Sequence, residues 1–150
     1  MVDSRQKGAR GETQAKDALK KHTGLKWERT PGSGALNEKH QLKGDLYVPG
    51  EKNLFCVEVK NYEDDHLNST LLTGKSPQII DWWKQTIRES AQVNRKPLLI
   101  FKHNRSKMFV AFEEFPSHKY RYIFVSIDEH EFYVALLDDY LTYEKPKFIA

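Results

Sequence analysis

An acid and a lysine stand two residues apart in the apolar run Leu54-Phe55-Cys56-Val57-Glu58-Val59-Lys60. A second acid, Asp45, opens the strand-like segment before it, Asp45-Leu46-Tyr47-Val48. Residues two apart on a strand project from one face, so Glu58 and Lys60 point together while Val57 and Val59 point to the other side. The intervening Pro49-Gly50-Glu51-Lys52-Asn53 is made of turn formers, which predicts a hairpin. Folding back there carries Asp45 towards Glu58 and gathers two carboxylates and a lysine in one small volume. Close carboxylates repel, and a divalent cation is their natural counter-charge.

The elements that must hold these groups follow from periodicity. The first helix is predicted over Arg5 to His22, with Ser4 as N-cap and Gly24 just past its end. Ala15, Ala18, Leu19 and His22 mark its buried stripe, and Glu12 falls on the same stripe. A carboxylate on an inward face is costly unless something pairs with it. Gly8 and Gly11 weaken the helix but allow another backbone, or DNA, to come close. Leu25 to Thr30 reads as a strand, and the following segment to Lys43 reads as a loop carrying Ser33, Asn37, Lys39 and His40. After a further loop, Glu63 to Lys75, Ser76-Pro77 is a helix start, and Ile80, Trp83, Ile87 and Ala91 mark one face of a helix ending near Asn94. Trp83 is assigned to the core on that basis, whereas Trp82 could equally stack on bases. Strands are predicted at Pro97–Lys102, Met108–Phe112 and Tyr122–Ile127. Phe132–Leu137 fits either strand or helix, and Leu137–Tyr143 a short terminal helix. The order predicts an α/β sandwich with a mixed sheet, the hairpin at its centre and the strand after the second helix parallel to the one before it.

Bulk properties narrow the class. A chain of 150 residues is most simply one domain, residues 1–150. No apolar run approaches the roughly 20 residues of a membrane span. Met1 to Arg10 lacks the apolar stretch of a secretory signal. The lone Cys56 cannot form an internal disulfide, which points to an intracellular setting. With 24 basic and 21 acidic residues the net charge is only +3, so distribution matters more than total. Arg5, Lys7 and Arg10 form one basic cluster, and Lys102, His103, Arg105 and Lys107 another. Acids gather at Glu63-Asp64-Asp65 and Asp128-Glu129-His130-Glu131. Such segregation permits a basic face on a nearly neutral protein. His66 and His130 beside those acids, and the His103-Asn104-Arg105 turn, read as solvated surface rather than metal sites.

A Glu-X-Lys triplet alone is common on surface strands; its weight here comes from company. The succession Glu12, Gly44-Asp45, Glu58-Val59-Lys60 resembles the PD-(D/E)XK nuclease superfamily, with glycine in place of the usual proline. The closer resemblance is to archaeal-type Holliday junction resolvases and their phage relatives. It is carried by Lys7-Gly8 to Gly11-Glu12, Arg29 with Gly32-Ser33-Gly34, the metal-binding hairpin, and Trp83 followed by Lys96-Pro97-Leu98-Leu99-Ile100-Phe101-Lys102. It covers roughly residues 5–103. The resemblance implies a restriction-endonuclease-like mixed central β-sheet flanked by helices. It implies Mg²⁺, with Mn²⁺ as substitute, held by Asp45, Glu58, the Val59 carbonyl and Glu12. Lys60 would orient water or stabilise the transition state. Arg29 and Ser33 would hold backbone phosphates, with Arg5, Lys7 and Arg10 along a DNA arm.

The function so implied is metal-dependent cutting of branched DNA, a four-way junction, by a homodimer making paired nicks. The same hairpin serves a nuclease of linear DNA, since chemistry does not choose DNA shape. A non-catalytic DNA-binding module of the same fold is the third possibility, and the presence of every expected polar position counts against it.

Overall fold

The computed structural model describes residues 4–31 and 43–150, with side chains from Lys7 onward. Helix α1 (Ser4–Thr23) is one residue longer at each end than its periodicity indicates. It stops at Gly24, where a φ of +72° and a hydrogen bond donated by the Gly24 N–H to the Lys20 carbonyl at 2.9 Å turn the chain through the left-handed region. Ala15 and Leu19 are fully buried, and Gly11 is buried on the same stripe. A Cβ on Gly11 would stand 2.6 Å from the Asn61 Cβ. The bare backbone there is what lets α1 lie this close to the sheet. Asn61 fastens the crossing by donating its amide to the Lys7 carbonyl at 3.0 Å.

Among the described residues seven strands form one mixed sheet. They are β1 (Glu28–Arg29), β2 (Leu46–Tyr47), β3 (Phe55–Tyr62), β4 (Lys96–His103), β5 (Phe109–Phe112), β6 (Tyr122–Ile127) and β7 (His130–Leu136). Their order is β1-β2-β3-β4-β5-β7-β6. Strands β3 and β4 run parallel with Glu58 opposite Leu99, and the other neighbours are antiparallel. The hairpin β2–β3 is therefore not central as expected. Three strands add beyond β4, so β4 takes the middle and β2 lies near one edge. The expected Leu25–Thr30 strand shrinks to two residues. Trp27 instead buries its ring and donates Nε1–H to Thr23 Oγ1 at 3.0 Å. The Phe132–Leu137 ambiguity resolves as strand, because burial alternates: Phe132 and Val134 face one core, Ala135 the other.

Those two cores lie on opposite faces of the sheet. On the α1 side Ala15 and Leu19 pack with Val57, Leu98, Ile100, Leu137 and Phe148. On the other side α3 (Gln78–Gln92) packs Ile79, Ile80, Trp82 and Trp83 against Leu99, Phe101 and Phe132. The stripe α3 buries comprises Ile79, Ile80, Trp82, Trp83, Thr86 and Ser90. That is rotated from the Ile80-Trp83-Ile87-Ala91 face read from periodicity, and Ile87 and Ala91 are exposed. Both tryptophans are core. Trp82 stacks on Tyr62 at 4.9 Å, which removes it as a base-stacking platform. Ser76 does not cap α3; its hydroxyl donates to Asp81 at 3.0 Å, and Pro77 is the residue before the helix.

The segment between β3 and α3 contains a one-turn helix, α2 (Thr70–Thr73). After β7, α4 (Leu137–Asp139) runs into a π-helical turn, Tyr140–Glu144. Strand β6 is the open edge of the sheet, and Tyr122, Ile123 and Phe124 on it are exposed. No described helix is long and apolar enough to cross a membrane.

Candidate active site

The hairpin opens where β2 leaves β3. Leu46 pairs with Val57, and one residue earlier the Asp45 amide donates to the Val57 carbonyl at 2.6 Å. From there the ladder is continued by a side chain: Asp45 Oδ2 accepts the Val59 N–H at 2.7 Å. Gly44 makes the bend possible. Its φ is +86°, and a Cβ would meet the Val57 carbonyl oxygen at 2.8 Å. A residue with a side chain is excluded on both conformational and steric grounds. The Asp45 carbonyl accepts from the Thr30 amide at 2.9 Å, so β1 braces the same corner.

Strand alternation puts Val57 in the α1-side core and leaves Glu58 on the face that α3 covers. Glu58 is only 3% exposed. Its carboxyl contacts those of Asp45 and Glu89, and its Oε1 is buried with no hydrogen-bond partner. Carboxyl groups can hydrogen-bond one another only if a proton stays on one of them. Burial, the Glu89 contact and the Asp45 charge together hold the Glu58 carboxyl far above the usual carboxylate range. Asp45 is also raised by burial, but the Val59 amide, the Glu58 contact and the Lys60 ammonium pull it back. Both acids are thus disfavoured as anions, Glu58 because burial and other acids surround it and Asp45 in spite of the donors that face it.

Glu12 reaches the cluster from α1. Burial first, and then the Asp45 charge, raise its carboxyl. Arg29 opposes this by donating to Glu12 Oε2 at 2.9 Å. The fold therefore brings together Glu12, Arg29, Asp45, Glu58, Val59 and Lys60.

The other sequence-derived positions lie elsewhere. Lys7 donates Nζ to Asn104 Oδ1 at 2.5 Å, and Arg10 is exposed on α1. The Arg5 side chain and all of Ser33 lie outside the described residues. His66 packs edge-on against Trp82 at 4.8 Å. Glu89 is the neighbour that periodicity missed. It follows Trp82 by seven residues and Thr86 by three, so it lies half-buried on the side of α3 that carries the buried stripe. The reasoning that found Glu12 would have found it had the stripe been read one position earlier.

These groups fit a hard divalent cation. They are oxygen donors crowded beyond what like charges tolerate, and one buried oxygen has nothing to bind. Among the described residues no group of three or more His, Cys, Asp or Glu side chains is arranged to hold a metal ion by itself. An ion held here would take Asp45 and Glu58 from the side chains and leave other positions to backbone, water or substrate oxygen. That openness is characteristic of hydrolytic rather than structural metal sites.

Comparison with known proteins agrees with this architecture. A family model described as "Phage putative PDDEXK endonuclease" matches residues 3–147. Protein D14 of Escherichia phage T5 is 48% identical over 115 residues, covering 75% of this chain and 72% of D14. The mixed sheet with flanking helices is the restriction-endonuclease-like fold of that superfamily, whose members typically use divalent metal ions. With the family match running almost end to end over a hairpin that joins Asp45 to Glu58-Val59-Lys60, the chain belongs to the phage PDDEXK endonuclease family.

Proposed function

We propose that this protein is a Mg²⁺-dependent endonuclease that resolves four-way DNA junctions as a homodimer, Mn²⁺ being able to replace Mg²⁺. The observation that carries the nuclease reading is the contact between the Asp45 and Glu58 carboxyls, beside Lys60 and with Glu58 Oε1 unpartnered. Asp45 and Glu58 would hold the cation, with the Val59 carbonyl as a third oxygen and Glu12 joining directly or through water. When bound, the cation supplies Lewis-acid polarisation of the scissile phosphate and a more acidic water.

The chain's own groups do the rest. Lys60 offsets negative charge on the phosphate as attack proceeds and orients the incoming water. The Val59 amide fixes the Asp45 carboxylate from the backbone, so its direction is set before substrate arrives. Arg29, paired with Glu12 in the DNA-free protein, is placed to exchange that partner for a phosphate. The Lys7–Asn104 bond brings the basic start of α1 beside the turn bearing Lys102, Arg105 and Lys107. Two clusters far apart in sequence thereby form a common surface for a DNA arm.

Junction preference rests on the resemblance of Lys7-Gly8 to Gly11-Glu12, Arg29 and the Gly44-Asp45 hairpin to the junction resolvases. Resolution needs two cuts related by two-fold symmetry, which one site per protomer supplies in a dimer. The test is cleavage of labelled four-way junction, linear duplex and single strand with Mg²⁺ at equal salt. Paired nicks symmetric about the branch point, faster than any cutting of linear duplex, are expected. Equal rates on junction and linear duplex would remove the junction reading and leave the nuclease. Binding without cutting in any metal would leave only a DNA-binding module.

A further inference from the structure

We propose that Glu89 on α3 is a fourth acidic member of the cation site, acting behind Glu58 to position it and to raise the affinity for the cation. The inference rests on Asp45 and Glu58 being the cation ligands. Glu89 comes from an element that contributes nothing else to the site, and it is held there. It is half-buried at the margin of the stripe that α3 turns to the sheet, its carboxyl contacts that of Glu58, and Gln85, one turn earlier, donates Nε2–H to Glu89 Oε2 at 3.2 Å. Glu58 is thus approached by Asp45 from the hairpin and by Glu89 from the helix, while its Oε1, on a residue only 3% exposed, remains free.

This arrangement has no packing rationale. Glutamine at position 89 would have the same shape, could donate to Glu58, and would avoid setting a second acid against a buried one. A half-buried acid set against the buried Glu58, with an uncharged isostere available, is instead what a site for a doubly charged ion requires: acidic groups in excess until the ion arrives. Groups standing behind a ligand fix its rotamer and its basicity, and their loss typically weakens metal binding by about 10–100-fold. Glu89 is accordingly a positioning residue, and the cleavage rate alone would not identify its role.

The test uses the full chain without DNA. Mn²⁺ binding is followed by the electron paramagnetic resonance of the free ion, and thermal unfolding is recorded with and without Mg²⁺, for wild type, Glu89→Gln and Asp45→Asn. For Glu89→Gln we expect a cation-free Tm equal to or above that of wild type, a Kd for Mn²⁺ weakened about tenfold, and a smaller Mg²⁺-induced rise in Tm. Asp45→Asn should lose cation binding altogether. An unchanged Kd in Glu89→Gln overturns the inference. So does a lowered cation-free Tm, or failure to fold, since either marks Glu89 as a structural group. If Asp45→Asn still loses the cation in those cases, the proposed function stands without Glu89. If both variants bind Mn²⁺ like wild type, the ligand assignment falls with it.

Discussion

Asp45 and Glu58 are chemically alike and differ in what surrounds them. Asp45 has an amide donor and a lysine charge; Glu58 has other acids and an empty oxygen. Asp45→Asn and Glu58→Gln should each lower cleavage at least about a hundredfold while the protein stays folded, checked by single-turnover rates alongside circular dichroism. Neither change should reduce cation-free stability, because each puts a neutral amide in place of an acid that a crowded, desolvated site disfavours. Lys60→Ala should slow cutting with little effect on DNA affinity. At this scale the sequence was most legible where one rule governs. Strand alternation alone separates Glu58 and Lys60 from Val57 and Val59. Glu89 was illegible because α3 carries apolar residues on more than one side, Ile87 among them, so hydrophobicity does not single out the stripe that packing selects. The partner of Arg29 was hidden too, since no spacing rule links a two-residue strand to a helix seventeen residues earlier.

Between elements, the crossing of α1 over β3 decides whether Glu12 reaches Asp45. Gly11→Ala would drive a methyl to 2.6 Å from the Asn61 Cβ. Overpacking of this kind costs about 1–3 kcal/mol. It should appear as a lower Tm together with a fall in activity larger than the loss of folded protein explains, because Glu12 is the next residue. A second tie joins the segment between β5 and β6 to the C-terminal turn. Burial would raise the Glu144 carboxyl. The Ser117 hydroxyl and amide (the latter at 2.9 Å), the Tyr120 hydroxyl at 2.8 Å and His118 outweigh that and hold it below its ordinary value. A depressed carboxyl contributes stability above its unfolded value of about 4.5, and that contribution is lost as the pH falls through the lowered folded value. Glu144→Gln should therefore be less stable than wild type by about 1–2 kcal/mol at neutral pH. In thermal melts the gap should narrow as the pH is taken down through and below the ordinary carboxylate range. The short terminal helix expected at Leu137–Tyr143 is present, but its second part is π-helical, which composition does not reveal because a π turn keeps helical residues while shifting their register.

For the molecule as a whole, the aromatic-rich segment Phe109 to Phe124 divides cleanly: Val110, Ala111 and Phe112 are buried and Tyr122, Ile123 and Phe124 exposed. Tyr122–Ile127 carries no charge, and protein edges left bare in this way invite pairing. Pairing of β6 with its two-fold mate would be isologous, the symmetry that a junction-cutting dimer needs. Ile123→Lys is expected to sediment as a monomer and to lose paired nicking. Mixed dimers of wild-type and Glu58→Gln subunits should nick one strand and spare the other. Neutralising Lys7, Lys102 and Lys107 together should reduce the salt slope of DNA binding by roughly one unit for each phosphate that is no longer neutralised.

The corner at Gly44 also bears on descent. The proline found before the aspartate elsewhere in the superfamily is confined to a φ near −65°, whereas Gly44 sits at +86° with the Val57 carbonyl closing the space. Replacing Gly44 by proline would thus move this chain towards the common motif and away from a working hairpin. In this chain the exchange cannot be made at position 44 alone, because the hairpin around it is built for a positive φ. A search for distant relatives that insists on proline will pass over chains built like this one.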